Sequence, residues 1–292
     1  MKKIIAAGLI VGMILGMSIS AFAAEKDDTS IEMMRVATPG SFVTYGSYEQ
    51  DNVTKNGKEP IEWKVLENNG SSLLLMSRYV LDGKSFSDAY LNGNTWEPIP
   101  VTWETCSLRA WLNSEFLTTA FTENEQLRIM TVKNSNTPSD FNPNETWYSI
   151  DANGNRIPLP ITNFGNDTFD RVFVLSIDEV KKYFPMDITR KTDYGTLPAS
   201  SQLLIQATPY AQKHGAEIWS EKIAQACISN GGGYKYFAND IIGYATKIVL
   251  RTLDGHGGNK SVLNIGADGT PGGTRTVTYD FGNCPAIRLN LQ

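Results

Sequence analysis

The stretch IEWKVLENNGSSLLLM, residues 61–76, is the segment that says most about the fold. Residues 61–66 alternate apolar and polar side chains, as a strand with one buried face does. Asn69-Gly70 tolerates the positive φ angles of a tight turn, and the run at 73–76 is continuously apolar. The segment therefore predicts a β-hairpin whose second strand is buried and central in a sheet.

Residues 105–130 change to the spacing of amphipathic helices. Apolar side chains recur there at positions i, i+3 and i+4, as in Leu108, Trp111 and Leu112. Two segments, at 122–125 and 176–179, match the capping box with which many helices begin. The first box predicts a helix that carries Leu127 and Met130 into the core.

The last quarter of the chain alternates short β-prone pieces with polar loops. The pieces lie at 247–250, 261–265, 274–279 and 286–289, and Gly, Asn and Asp crowd the stretch 254–273. This pattern is typical of a compact twisted sheet that presents its loops on one side. The sequence therefore predicts an α+β fold, with short helices early and a twisted antiparallel sheet with long polar loops late.

No internal repeat and no linker rich in Pro or Ser interrupts residues 41–292, so we expect one domain there. Residues 24–40 are polar and charged, which predicts a flexible leader. Residues 1–23 are typical of a secretory signal peptide, with two Lys residues, an apolar run and small residues before the cleavage point. We therefore predict a secreted or cell-envelope protein with no membrane span after cleavage.

The charge balance does not favour a nucleic-acid partner. The chain has 26 Lys and Arg against 31 Asp and Glu, and its formal net charge is −5 at pH 7. Binding to phosphate groups needs a basic surface, which an acidic chain without basic runs is poorly suited to supply.

Several blocks of the sequence resemble a bacterial family, the domain of unknown function 6273, which is often found in exported proteins. The resemblance rests on YGSYEQ at 45–50, TWETCSLRAWLN at 102–113 and CPAIRL at 284–289. The last third is also similar to C-type-lectin-like folds of the formylglycine-generating-enzyme type. In those folds an Arg-containing strand, a Gly- and Asn-rich loop region and a final strand with an Arg motif build the ligand face. The resemblance implies a C-type-lectin-like single domain.

The leading hypothesis for function is a non-catalytic binding module that holds a glycan or a partner protein through its C-terminal loops. Loops on a rigid scaffold often carry recognition, and this chain has an unusually long polar loop region there. The candidate ligand-binding residues are Asp254, His256, Asn259, Asn264, Asp268 and Asn283, with Trp96 as a possible stacking residue. The sequence leaves the oligomeric state open.

No cofactor is predicted, and calcium has only weak support. Residues 151–155 match the opening of a calcium-binding loop, but Arg156 replaces the glycine and Thr162 replaces the bidentate glutamate of that loop. We therefore predict a hairpin turn at 151–155. The two histidines are far apart and no Cys-x-x-Cys occurs, so the sequence does not indicate zinc.

Two other function classes stay open. An exported hydrolase of carbohydrate or peptidoglycan would need two carboxylates in one cleft. Glutamates stand next to tryptophans at Glu62-Trp63, Trp96-Glu97 and Trp103-Glu104, a combination seen in sugar sites. We favour the interpretation in which Trp fills the core and Glu faces water. The third class is a structural cell-envelope protein without a small ligand.

Five further side chains are assigned to the structure of the protein and not to its chemistry. Three cysteines, Cys106, Cys227 and Cys284, could form one disulfide, but we favour three buried thiols. Arg251 and Arg288 are expected to anchor the fold through carboxylate or carbonyl contacts.

Overall fold

The computed structural model describes residues 31–90, 99, 101–142, 144–146, 148–193, 195–255 and 258–292. The strands are β1 Phe42–Tyr48, β2 Glu59–Asn68, β3 Ser72–Ser77, β4 Asp82–Ser85, β5 Ile129–Met130, β6 Val132–Asn134, β7 Tyr148–Ile150, β8 Arg156–Pro158, β9 Thr168–Asp170, β10 Val172–Phe173, β11 Ile188–Thr192, β12 Gly195–Ala199, β13 Lys247–Leu253, β14 Ser261–Gly266, β15 Pro271–Thr276, β16 Asp280–Asn283 and β17 Ala286–Asn290.

Apart from a helical turn at 31–35, the helices are short and lie between residues 107 and 229. They are α1 Ser107–Trp111, a π-helical turn Leu112–Phe116, α2 Leu117–Ala120, α3 Glu123–Arg128, α4 Ile177–Tyr183, a 3-10 turn Ser201–Leu203, α5 Pro209–Lys213 and α6 Glu221–Ser229. The predicted capping boxes are confirmed at the N-termini of α3 and α4.

The first large sheet has the strand order β1-β2-β3-β17-β10, with β5 also paired to β17. The predicted hairpin is confirmed as β2 and β3, which pair antiparallel across the Asn69-Gly70 turn. All six residues of β3 are buried, and β17 pairs with its other edge, so this strand is central as predicted.

The second large sheet has the strand order β15-β14-β13-β16-β4. Its pairings are antiparallel except for that of β13 with β16, which is parallel. The mixed α+β class is confirmed, but the expected order of helices first and strands last is wrong. Strands from the start of the chain complete both sheets, because β3 pairs with β17 and β4 with β16, and such distant pairings leave no local sequence pattern.

One main core joins apolar side chains from Ile31 to Leu291. Its largest fully buried members are aromatic and include Trp63, Trp103, Phe86 and Phe116. A second, smaller cluster consists of Phe237, Ile241 and Ala267, with Trp219 and Tyr244 packed against it. The prediction of one domain is compatible with the shared main core and stays a prediction.

The folded part begins before the predicted boundary at residue 41. Residues 31–35 form a helical turn, and the Ile31 and Met34 side chains are buried in the main core. A spacing of three residues places both side chains on one face of the turn, which is why part of a charged segment still packs.

The prediction that α3 carries Leu127 and Met130 inward is wrong. The Leu127 side chain is 83% exposed and Met130 is 39% exposed, whereas Ile129 between them is buried. The chain leaves the helix at Ile129 and continues as β5, so the alternation of a strand replaces helical spacing at this point.

The predicted signal peptide at 1–23 lies outside the described residues. Within the described part of the chain, no helix has the length and the apolar character needed to cross a bilayer.

Candidate functional site

Two clefts lie against the β14–β15 hairpin. Successive residues of β14 line different clefts, since Leu263 lines one and Asn264 the other, as expected for side chains on opposite faces of a strand. We call the cleft that Leu263 lines the apolar cleft, of about 540 Å³, and the cleft that Asn264 lines the polar cleft, of about 440 Å³. Both share Leu197 and the turn at 270–272.

The apolar cleft takes its name from its lining, which includes Phe141, Ile177, Met186, Leu253 and Leu263. Polar groups are also present, and the Asp140 carboxylate pairs with Lys181 Nζ at 2.8 Å. This ion pair holds the pKa of Asp140 below its usual range.

The polar cleft has an aromatic wall made by Trp219 and Tyr234. Their ring centroids are 5.2 Å apart and the ring planes are inclined by 40°. Trp219 packs against the second core cluster and donates from Nε1 to the Ala238 carbonyl at 2.8 Å, which fixes the indole. Tyr234 is 40% exposed, so part of its ring is open to a ligand.

Glu217 is the most exposed acid of the polar cleft, and it is already well supplied with donors. Its Oε2 accepts from Tyr279 Oη at 2.7 Å, from Lys247 Nζ at 3.0 Å and from Thr246 Oγ1 at 3.2 Å. The hydrogen bond from Tyr279, followed by the contact with Lys247, lowers the pKa of Glu217. This group is therefore an anionic acceptor near neutral pH.

Asn264 and Asp268, two of the predicted ligand-binding residues, shape the hairpin that borders the polar cleft. Asn264 Nδ2 donates to the Gly273 carbonyl at 2.7 Å and ties β14 to β15. Asp268 is 1% exposed, and its carboxylate accepts from the N–H and the hydroxyl of Thr270 at 3.1 and 3.0 Å. The structure thus brings these two predicted residues together.

The other described candidates lie elsewhere. Asp254 lines the apolar cleft, and its carbonyl accepts from Thr162 Oγ1 at 2.5 Å. Asn259 is buried with φ +65°, and its Nδ2 donates to the carbonyls of Val101 and Asn163 at 2.6 and 2.5 Å. The Asn259 side chain thus joins its turn to two distant segments.

Asn283 is fully buried in β16, where its Nδ2 donates to the Phe281 carbonyl at 3.1 Å and the Lys84 carbonyl at 3.3 Å. His256 and Trp96 lie outside the described residues. A binding role for Asp254, Asn259 and Asn283 stays a prediction, and the structure does not place these residues in the polar cleft with Asn264 and Asp268.

The residues of the polar cleft that sequence reasoning missed include Glu217, Trp219, Tyr234 and Arg275. The signal that could have identified them is weak. EIW at 217–219 combines an acid with tryptophan, and YKYF at 234–237 follows three glycines, yet nothing in either motif shows that they meet.

The glutamates considered for hydrolysis do not form a site in the described part of the chain. Trp63 and Trp103 are fully buried, while Glu62 pairs with Arg78 at 3.1 Å on the surface. Glu104 is exposed and accepts from Asn166 Nδ2 at 3.1 Å. The interpretation of Trp in the core and Glu toward water is confirmed for these two pairs, and Trp96-Glu97 lies outside the described residues.

Both arginines expected to anchor the fold do so. Arg251 is buried and donates from Nη1 to the Val174 carbonyl at 3.0 Å and to the Glu179 carboxylate. Arg288 Nη2 donates to Glu67 Oε1 at 3.0 Å. Each guanidinium joins a strand to a neighbouring element.

Two places bear on calcium. The 151–155 segment is the turn of the β7–β8 hairpin, as predicted, and Asp151 accepts backbone N–H groups within it. Elsewhere, carboxylate oxygens of Glu49, Asp51 and Glu59 lie within 4.8 Å of one another. Each of the three accepts a backbone N–H of the same loop, so the loop can hold them together without an ion.

The three cysteines are free thiols in the structure. Cys106 and Cys284 are buried, and burial raises the pKa of each thiol to about 12. The thiolate is the reactive form, so these two groups are inert near neutral pH. Cys227 is half-buried, so the expectation of three buried thiols holds for two of them.

Comparison with known proteins gives a family and nothing finer. No curated protein and no solved structure matches the chain. The profile of one family, described as Domain of unknown function (DUF6273), matches residues 70–291, which is more than half of the chain. The matched range includes the paired strands β3 and β17, the paired strands β4 and β16, and all residues of the polar cleft. The chain therefore belongs to the DUF6273 family.

Proposed function

We propose that this protein is an exported, non-catalytic binding protein that holds a glycan in the polar cleft. The observation that carries the proposal is the aromatic wall of Trp219 and Tyr234 in a cleft that also presents the charged and amide side chains of Glu217, Arg275 and Asn264. A cleft of about 440 Å³ is within the usual size range for small-molecule sites, and it suits a short stretch of sugars better than a broad protein interface.

The chemistry of the lining matches that of a sugar ring. A pyranose has apolar C–H faces and a rim of hydroxyl groups. Aromatic side chains offer a large, rigid apolar surface to such faces. Glu217 accepts hydrogen bonds and Arg275 donates them, so hydroxyl groups at the rim would find partners of both kinds.

The charge state of the cleft supports binding over hydrolysis. The acid of a glycosidase needs a raised pKa so that it keeps a proton to donate. The pKa of Glu217 is lowered by Tyr279 and Lys247, and the Asp268 carboxylate is buried against Thr270. A hydrolase with a carboxylate pair remains the alternative proposal, and hydrolysis of a bound glycan would favour it.

The proposal is tested on a glycan array with the chain from residue 24 onward. We expect Tyr234→Ala to lower affinity about tenfold or more, because alanine substitution of a ring that stacks on a nucleic-acid base costs roughly 1–3 kcal/mol. Tyr236→Ala is the matched control. Tyr236 is two residues away and 46% exposed, but it does not line the polar cleft and donates to Asp193 at 3.3 Å.

Equal loss of binding in both tyrosine variants, or silence of the unmodified protein across the array, contradicts the proposal. A second array in EDTA tests calcium. Unchanged binding there means that the acidic cluster of Glu49, Asp51 and Glu59 does not support recognition through an ion.

We further propose a C-type-lectin-like arrangement of the last third of the chain, and export by the segment 1–23. The first is supported by Arg251 on β13, by the Gly- and Asn-rich loops that follow and by Arg288 on the final strand. Superposition of an experimental structure on such folds tests it. Mass spectrometry of the mature N-terminus from an expressing bacterium tests cleavage after residue 23.

A further inference from the structure

The charged groups of the polar cleft are not equally available to a ligand. Lys247 is paired with Glu217 at 3.0 Å and with the Tyr279 hydroxyl at 3.0 Å, and its side chain is only 17% exposed. Asp268 is buried. Lys247 and Asp268 are therefore engaged within the protein, and the three protein donors to Glu217 all share its Oε2.

Arg275 is different. It lies on β15, at the edge of its sheet, and its residue is exposed. Its Nη1 donates to the carbonyl of the adjacent Thr274 at 2.8 Å. In the described part of the chain, Arg275 forms no ion pair, and its Nε and Nη2 groups have no protein acceptor.

This guanidinium shares the polar cleft with the aromatic wall. Arg275, Trp219 and Tyr234 line the same cleft. Burial raises the pKa of the Tyr234 hydroxyl, and the charge of Arg275 partly opposes this rise. Two parallel N–H groups, Nε and Nη2, match the two oxygens of a planar carboxylate in a bidentate contact.

We propose that the polar cleft selects glycans that bear a carboxylate, such as uronic acids, with the sugar ring on Trp219 and Tyr234 and the carboxylate on Arg275. This inference rests on the proposed glycan binding and adds the class of sugar. An acidic sugar forms an ion pair with the exposed Arg275 guanidinium that a neutral sugar cannot form.

The probes are oligogalacturonides and hyaluronan oligosaccharides, each presented beside its methyl ester, which keeps the sugar backbone and removes the charge. We expect the unmodified protein to bind an acidic form about tenfold or more tightly than its ester. Binding should weaken between about 50 mM and about 500 mM NaCl, because salt screens a partly exposed ion pair.

Arg275→Gln should lose this preference and bind acid and ester alike, and Arg275→Lys should keep part of it because the charge remains without the planar fork. Arg156→Gln is the matched control. Arg156 is exposed on β8 and lies over the Tyr148 ring, outside the polar cleft. The control substitution therefore removes one arginine charge at a site away from the cleft. Circular dichroism of each variant checks that the fold is kept.

The outcomes separate the two proposals. Equal binding of acids and esters by the unmodified protein overturns the acidic-sugar inference and leaves glycan binding standing. Preference for sulfated glycans without carboxylates, such as keratan sulfate oligosaccharides, also overturns it. An Arg275→Gln variant that retains the preference assigns it to another residue and overturns the role of Arg275. No binding of any acidic or neutral glycan overturns both proposals.

Discussion

Asp170 joins several segments of the fold through its carboxylate. It is buried, and its carboxylate accepts from Trp103 Nε1 at 3.0 Å, Arg109 Nε at 2.5 Å, Asn134 Nδ2 at 2.8 Å and Thr168 Oγ1 at 2.7 Å. Four donors meet at this one side chain: two from the segment 103–109, one from β6 and one from its own strand, β9. A buried charge is tolerated when it is hydrogen-bonded this fully.

We predict that Asp170→Ala destabilises the protein by ~3–5 kcal/mol, because the Arg109 charge and the Trp103 N–H lose their buried partner. Urea unfolding followed by tryptophan fluorescence measures the change. Asp167→Ala is the control, since Asp167 pairs with Lys133 at 2.9 Å on the surface. Its midpoint should stay close to that of the unmodified protein, and an equal shift in both variants would contradict the prediction.

Asp82 gives the protein a pH-dependent stability. Its carboxylate accepts from Tyr48 Oη at 2.6 Å and from the Gly83 N–H at 2.8 Å, and His214 Nδ1 lies 3.8 Å away. Burial is the main effect and raises the pKa of Asp82 despite these partners. The folded protein therefore binds the Asp82 proton more tightly than the unfolded chain does, and stability from this group is lost as pH rises.

We predict that Asp82→Asn gains stability relative to the parent protein as pH rises from the unfolded value of about 4 through the raised folded pKa. Below that window the difference should be constant, because the acid is protonated in both states. Both proteins carry His214→Gln, so that the neighbouring imidazole does not contribute. Urea midpoints measured from about pH 3 to about pH 7 test this, and a difference that is independent of pH would contradict it.

The β14–β15 hairpin is the element that shapes both clefts, and its turn is tightly fitted. Gly269 has φ +77°, its carbonyl accepts from Ser200 N–H at 3.0 Å, and a Cβ at this position would lie 2.3 Å from the Ser200 carbonyl oxygen. Only glycine meets both conditions, because a side chain would be strained by the backbone angle and would also collide with the neighbouring backbone.

We predict that Gly269→Ala costs about 2–5 kcal/mol in unfolding free energy, the sum of a left-handed backbone and a steric collision. Gly154→Ala separates the two effects. Gly154 has φ +84° in the β7–β8 turn with open space around it, so its cost should be only about 1–2 kcal/mol. Chemical denaturation compares the variants, and equal costs would show that the Ser200 contact is unimportant.

At the scale of the whole molecule, the two large sheets are joined by strands that are consecutive in sequence. β3 and β17 lie in the first sheet, and the strands next to them, β4 and β16, lie in the second. The two connections are themselves hydrogen-bonded, through Ser77 N–H to the Pro285 carbonyl at 2.9 Å and Leu81 N–H to the Asn283 carbonyl at 3.0 Å. Separation of the sheets would therefore break contacts from both halves of the chain.

We predict a single cooperative unfolding transition, because one main core and two mutually hydrogen-bonded connections join the two sheets. Far-ultraviolet circular dichroism, near-ultraviolet circular dichroism and tryptophan fluorescence in urea should give the same midpoint. Two resolved midpoints would contradict the prediction and would indicate two domains.

The local features of this fold could be predicted from the sequence, and they held where neighbouring residues decide them. The β2–β3 hairpin depends on Asn69-Gly70 and on alternation within a few residues, and the caps of α3 and α4 depend on side chains three residues apart. These interactions are short in sequence, so the pattern that specifies them is visible there.

Only the tertiary structure decided the order of the strands and the membership of the polar cleft. Arg288 and Ser72, 216 residues apart, meet because β17 pairs with β3, and no local pattern encodes that pairing. In the same way Asn264 and Asp268 share a cleft with Trp219 and Tyr234, while Asn259 and Asn283 hydrogen-bond to distant backbone. Polar loop residues look alike in sequence, and the packing of distant segments determines which of them face a cleft and which are used to hold the fold.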